Sequence, residues 1–311
     1  MAPKQRSTID DIGLSVSTHG LFVEGNTLCL EGVSLESLLF LSSPVLPWRT
    51  GKLSGRQVLV SDDAYEVLSK KFPKTPFLCC KYLHPITVGS LSLELLPSGE
   101  APGSSFLLIK KAERSLMYVS RWNPEPHPSI RKAVIRPANR LLVNIENDDD
   151  HKVSPQNHVR HELERMNNFA RQTLAEGKSL GLFFDPPRDL HRILTSLPEE
   201  FPIFADQKTL EFATLCAQSP SDLHRPLRER LKQFSPLAAA HATPAIFLVS
   251  TYGQHKKMPS ATWVLGCSRR EQRQGIVAPV NFGEHFQIAH TPSHNDILKL
   301  VSETKAEGVN L

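Results

Sequence analysis

LELLPSGEAPGSS, residues Leu93 to Ser105, sets the architecture of everything around it. Leu91, Leu93 and Leu95 alternate with Ser92 and Glu94, the two-residue period of a half-buried strand. Pro97, Gly99, Pro102 and Gly103 then forbid regular structure, so the strand runs into a glycine-rich loop. The following FLLIKKAERSLMYVSRW is two further apolar runs split by the polar turn KKAERS, which reads as a hairpin.

Working outward, residues 14 to about 145 hold many short apolar runs between turns: GLFVEG, NTLCLEG, SLLFLSS, QVLVS, FLCCKYL, SLSLELL, SFLLIKK, SLMYVS and NRLLVNI. They predict a strand-dense layer with one good helix, SDDAYEVLSKKF. There Ser61 suits the N-cap, and Asp62 and Asp63 suit the positive end of the helix dipole. After the acidic loop ENDDDHKVSPQ the period changes. Val159, Leu163, Met166, Phe169 and Leu174 predict an amphipathic helix ending near Gly177. SLGLFF, DLHRILTSL, FPIFA and DQKTLEFATLCAQ then alternate strand and helix, the signature of a βαβα unit with a parallel sheet. SPSDLHRPLRERLKQFSP reads as a polar, basic connector to the strands AIFLVS and ATWVLGC, and DILKLVSETKAEG as a closing helix.

At 311 residues and 40% hydrophobic composition the chain can bury a large core. Its five cysteines, Cys29, Cys79, Cys80, Cys216 and Cys267, include no CxxC pair, so neither a disulfide framework nor a zinc knuckle is signalled. No apolar run is long enough to span a bilayer and no secretory core opens the chain, so a soluble intracellular protein is expected. Nucleus, cytoplasm and mitochondrion stay open. A net charge of +4 argues against a protein that coats nucleic acid with its whole surface, and allows a local basic patch.

The order of segments resembles the metallo-β-lactamase fold nucleases with a β-CASP insertion, a family that includes messenger-RNA cleavage subunits, Artemis-type DNA nucleases and the exonucleases associated with bacterial DNA ligases. HGLFVEGNTLCLEG matches the opening hairpin, SLESLLFLSSPVLPW the metal-loop region, and RQVLVSDDAYEVLSKKF the next strand and helix. KYLHPITVGSLSLELLPSGEAPGSSFLLIKKAERSLMYVSRW follows the central block, and ATWVLGCSRREQRQGIVAPVNFGEHFQIAHTPSHNDILKLV the return from the insertion. The resemblance covers nearly the whole chain. It implies an α/β fold: an αββα metallo-β-lactamase-like sandwich over residues 14–150, a β-CASP-like βαβα insertion over 151–265, and a return segment over 266–311. Since the family continues into a strand ending in His-Gly, a sandwich edge lacking its last strand is expected here.

Such nucleases hold two metal ions through imidazole and carboxylate ligands, and those ions ionise a bridging water and neutralise the displaced phosphodiester oxygens. Here the HxHxDH loop falls on Ser43, Val45, Pro47 and Trp48. The loop histidine falls on Glu100, the bridging aspartate on Trp122, and the next acidic position on Asn144. The C-terminal pair falls on Thr291 and Ser293, with His290 and His294 out of register. The resemblance therefore implies a fold kept without its reaction: no metal, no cofactor and no catalytic residue. Gly99 and Gly103 persist because the backbone needs them.

Two other clusters attract a functional reading. Asp148 to His151 with His158, His161 and Glu162 has metal-ligand residue types, but carboxylates beside a helix start answer to the dipole. Arg225, Arg228, Arg230 and Lys232, with Lys256, Lys257, Arg269, Arg270 and Arg273, are candidate RNA-backbone contacts, or else a solvated helix face. No nucleophile elbow or phosphate loop occurs. The reading is a pseudoenzyme serving as a structural or binding subunit of an RNA-handling assembly, such as a processing complex or a ribosome or its precursor. Partners are other protein subunits, and RNA through basic loops, with no membrane and no small-molecule substrate. The alternatives are a nuclease or phosphodiesterase with a relocated metal site, and a solitary nucleic-acid-binding module. Apolar partner surfaces are expected at the former cleft, around Pro47, Trp48 and Trp122, and at the C-terminal edge.

Overall fold

The computed structural model divides into two compact units: Met1–Pro126, Arg131–Val153 and Pro292–Leu311 form the first, His127–Ile130 and Ser154–Thr291 the second. It describes residues 7–8, 12–17, 20–25, 27–32, 36–44, 53, 55–125, 127–144, 158–184, 186–218, 221–239, 244–250, 258, 263–266, 284–286, 288 and 294–310. Both units mix strands and helices, so the chain is α/β in class, as expected.

The first unit contains two sheets. One runs in chain order: β1 (Ser7–Thr8), β2 (Ser15–Ser17), β3 (Gly20–Val23), β4 (Leu28–Gly32), β5 (Leu38–Phe40), β6 (Val58–Ser61) and β7 (Phe77–Cys80). Its pairings are antiparallel up to β4 and parallel beyond, and helix α1 (Asp62–Lys71) forms the crossover between β6 and β7. The other sheet takes β8 (Ile86–Val88), β9 (Leu91–Pro97), β10 (Ser105–Lys111), β11 (Arg114–Val119) and β12 (Arg140–Val143) as successive neighbours.

The alternation in β9 becomes two buried faces. Leu91, Leu93, Leu95, Leu107, Ile109, Leu116 and Tyr118 pack on Leu28, Leu30, Leu38, Phe40 and Leu59 of the first sheet. Phe40 and Tyr118 meet edge-to-face at 6.0 Å. On its opposite face Leu96, Phe106, Leu108, Met117, Val119 and Leu141 pack on Leu300 of a C-terminal helix, His294–Thr304. The first sheet likewise turns Val58 and Val60 toward Ala64 and Leu68 of α1. Layers therefore succeed one another as helix, sheet, sheet, helix. Ser61 caps α1 as its sequence suggests, its hydroxyl accepting from the Ala64 amide at 3.2 Å and donating to the Gly103 carbonyl at 2.8 Å.

The second unit is built on a parallel sheet. Helix α2 (His158–Ala175) leads into β13 (Leu180–Phe183), α3 (Pro186–Ser196), β14 (Ile203–Ala205), α4 (Gln207–Ala217), α5 (Arg225–Arg230), β15 (Phe234–Pro236), β16 (Ile246–Val249), β17 (Trp263–Gly266) and β18 (Glu284–His285). Strands lie in the order β15-β14-β16-β13-β17-β18 and every pairing is parallel. Asp206 caps α4, accepting from the Thr209 amide at 2.9 Å, and also binds the Ser250 amide and hydroxyl at the end of β16.

Two expectations, the connector and the open C-terminal edge, are corrected. The stretch read as a polar, basic connector is structured from Ser221 on: it folds as a 3-10 turn (Asp222–His224), α5, a second 3-10 turn (Leu231–Gln233) and β15. In the second unit β18 pairs with β17, and that unit runs to Thr291. The C-terminal edge is also occupied. After the last helix, α6 (His294–Thr304), a strand β19 (Gly308–Asn310) pairs in parallel with β12.

Candidate functional site

The glycine-rich loop ends β9 and starts β10, and it is stitched down by its own backbone. Ser98 N–H donates to the Ser104 carbonyl (3.1 Å), Ser104 N–H to Ala101 (3.0 Å), Ser105 N–H to Ser42 (2.7 Å) and Asn123 N–H to Ser98 (3.0 Å). Gly99 and Gly103 have φ of +76° and +86°. A Cβ on Gly99 would collide with the Asn123 carbonyl oxygen, and one on Gly103 would meet Ala64 at 2.8 Å. Glycine is thus demanded twice over, by conformation and by space.

At the loop's centre, sequence-matched positions Ser43 and Glu100 do come together. Both are buried, and Ser104 hydroxyl bridges them, 3.2 Å from Ser43 Oγ and 3.4 Å from Glu100 Oε2. Glu100 Oε1 lies 3.6 Å from an Arg121 guanidinium nitrogen, and both side chains are largely buried. Nearby, Ser42 and Ser120 hydroxyls share a hydrogen bond of 2.8 Å. Among the described residues the donor set is hydroxyls and one carboxylate already facing a guanidinium. Those residues offer no pair of carboxylates or imidazoles around which a divalent ion could replace its water.

Trp122 is not at a cleft mouth. It is 5% exposed and packs in the core with Leu96, Phe106 and Met117, so its expected part in an open apolar surface is withdrawn. Asn144 donates its N–H to Val119 at 2.8 Å, a backbone role. Val45, Pro47, Trp48, Thr291 and Ser293 lie outside the described residues. Asp63 does more than suit the helix dipole: buried, it receives Arg131 Nε at 2.6 Å and Nη2 at 3.3 Å, and that guanidinium lies 5.5 Å from the Tyr82 ring centroid. Desolvation pushes the Tyr82 phenol up, and its O–H donates to the Ser104 carbonyl at 3.1 Å. Burial likewise raises Cys79, and Cys80 to about 11, so neither is an activated thiolate.

In the second unit the basic cluster splits. Arg225 is exposed and pairs with Glu229 at 2.9 Å, and Lys232 is exposed. Arg228 reaches the Ser221 carbonyl at 2.9 Å. Arg230, however, is buried and donates to the carbonyls of Leu194, Leu197 and Pro198 at 3.5, 3.2 and 3.1 Å, closing the C-terminal end of α3. It belongs to the interior and is corrected as an RNA contact. Arg269, Arg270 and Arg273, like Lys256 and Lys257, lie outside the described residues. So do Asp148 to His151, while His161 is exposed beside Glu164 at 3.9 Å.

The residues that sequence reasoning missed are His191, Cys216 and His224. They come from α3, α4 and the turn before α5, all are buried, and one donor atom of each lies within 4.8 Å of the others. His191 Nε2 and His224 Nδ1 are 2.8 Å apart, with ring centroids at 5.0 Å. His191 Nδ1 is buried with no hydrogen-bond partner, a condition that typically costs about 1–3 kcal/mol. Burial first, then the neighbouring His224, His127 and Arg192, hold His191 well below the usual imidazole range, so it is neutral. His127 is lowered to about 4 by burial and then Arg192, and it accepts the Ser129 amide at Nδ1 (3.2 Å), which leaves Nε2 to face Thr195 Oγ1 at 3.3 Å.

Compared with models of known protein families and with curated protein sequences, the chain matches none.

Proposed function

We propose that the chain is a catalytically inactive protein of metallo-β-lactamase-like and β-CASP-like architecture, serving as a structural or binding subunit of an RNA-handling assembly. The observation that carries this reading is the state of the glycine loop: Glu100 faces Arg121 and Ser104, with serine hydroxyls where a dinuclear centre needs imidazoles and carboxylates. The helix–sheet–sheet–helix layering of the first unit and the parallel sheet of the second support the same reading. The loop keeps both backbone-critical glycines and has turned its one carboxylate into an internal ion pair. A nuclease acting through a relocated catalytic metal draws no support from His191, Cys216 and His224, which are 0–2% exposed and closed to any polymer.

Arg225 and Lys232 are the described residues through which RNA would be met, as point charges against phosphate. The test has two arms. Purified full-length protein is incubated with single-stranded and duplex RNA and DNA in zinc, manganese or magnesium, and tagged protein is recovered from its own cells with crosslinked RNA and partner subunits identified. No cleavage with specific RNA and protein recovery is expected. Cleavage that co-purifies with the chain and is lost on Glu100→Gln would overturn the pseudoenzyme reading, and recovery of neither RNA nor protein would overturn the assembly role.

A further inference from the structure

We propose that His191, Cys216 and His224 hold one thiophilic closed-shell metal ion, Zn2+ or Cu+, as an internal clamp of the second unit. This is independent of the reading above, because the cluster lies in the other unit and is sealed from substrate. It also revises the expectation of a metal-free chain, which was drawn only from the former nuclease positions.

Chain separation makes the cluster informative. His191 and His224 are 33 residues apart, on separate helical elements, with Cys216 on a third. α3, α4 and α5 pack on one another, and the three donors meet where they converge. Thiolate with imidazole is the donor set that selects zinc and monovalent copper over magnesium or calcium. The three donors are all buried, so an ion held by them is screened from any substrate even though three protein ligands leave one zinc position to water.

The protonation states suit the assignment. A neutral imidazole is the ligand-competent form. Binding of His191 through Nε2 breaks the hydrogen bond to His224 Nδ1 and places the ring proton on Nδ1, an atom otherwise without a partner. On metal binding Cys216 loses its thiol proton to solvent and coordinates as thiolate. Two imidazole nitrogens on one tetrahedral ion stand about 3.3 Å apart. The facing pair, at 2.8 Å, needs to part only slightly if both bind through those atoms. Charge separates the two ions. Cu+ with one thiolate is neutral and complete with three donors, whereas Zn2+ keeps a positive charge near buried Arg192 and takes a fourth ligand from water.

The experiment uses the full-length chain, purified under reductant and stripped with chelator. Co2+ replaces Zn2+ to reveal a thiolate-to-metal charge-transfer band, and chromophoric chelators compete separately for Zn2+ and Cu+. One equivalent of Zn2+ or Cu+ is expected, with a rise in melting temperature on loading. Cys216→Ser should abolish the band, and His191→Gln should weaken binding at least about tenfold. Cys79→Ser, an exposed thiol in the first unit, should change neither. Uptake of neither ion, or the same uptake in Cys216→Ser as in wild type, overturns the proposal. If both cluster variants fail to fold, as seen by circular dichroism, the wild-type chain decides: a cobalt thiolate band or one equivalent of Cu+ won from the chelator supports the site, and the absence of both refutes it.

Discussion

Replacing Glu100 with alanine separates a functional remnant from a structural part. Glu100 and Arg121 face each other at 3.6 Å with side chains 11% and 14% exposed. At an effective dielectric constant near 20, two charges at that distance attract by about 4–5 kcal/mol. Desolvating both groups offsets much of this, and the separation exceeds that of a well-aligned charge-assisted hydrogen bond. Removing only the carboxylate takes the Glu100 charge away from a largely buried guanidinium and withdraws an oxygen from Ser104. A loss of about 2–3 kcal/mol is expected for Glu100→Ala. Arg121→Ala should cost a similar amount, and the double variant less than the sum. Urea denaturation followed by circular dichroism gives the cycle. A carboxylate kept for chemistry tends to sit at a stability cost. If Glu100→Ala is neutral or stabilising, and the cycle shows no coupling, the ion-pair account of this loop is wrong.

Gly103→Ala should cost more than about 2 kcal/mol, because it adds a backbone contact at 2.8 Å to a left-handed φ, whereas Gly25→Ala, with φ +66° and open space, should cost about 1 kcal/mol; equal losses in the two melts would refute the steric argument. Arg230→Met should destabilise the second unit by about 1–3 kcal/mol through three uncapped carbonyls, while Arg225→Ala should stay within about 0.5 kcal/mol and lower RNA retention in crosslinking. His127 is neutral when folded, with its value lowered to about 4, so the unfolded chain binds more protons between pH 6.5 and 4 and stability falls as pH drops through that window. His127→Asn should flatten that part of the pH–stability curve, and an unchanged slope would remove His127 as its source.

Much of the first unit was readable because its strands obey a two-residue period with little interference. Leu91, Leu93 and Leu95 point one way and pack as their spacing demands, and Ser61 caps its helix locally. The unread parts depend on partners distant in sequence. DLHRPLRERL looks polar, yet Leu223, Leu227 and Leu231 recur every four residues, a helical signal that the arginines obscured. Arg230 needs the carbonyls at the end of α3 before it can be recognised as interior. Trp122 carries no local mark of which face it takes. His191 lies between Leu190 and Ile193 on a buried helix face, which hints that it is interior, but no spacing joins it to Cys216 and His224.

The pairing of β19 with β12 has a consequence for biosynthesis. Asn139 and Glu307, hydrogen-bonded beside this pairing, stand 168 residues apart, with the second unit threaded between them. A ribosome adding about 5–20 residues per second needs on the order of ten seconds to cross that interval. Throughout it, Leu96, Phe106, Leu108 and Met117 lack the helix that carries Leu300. A nascent chain therefore waits with one hydrophobic sheet face and one strand edge uncovered, long enough for a chaperone or a neighbouring nascent chain to engage them. The length of that wait, set by the size of the insert, makes the yield of folded protein sensitive to translation speed across residues 154–291.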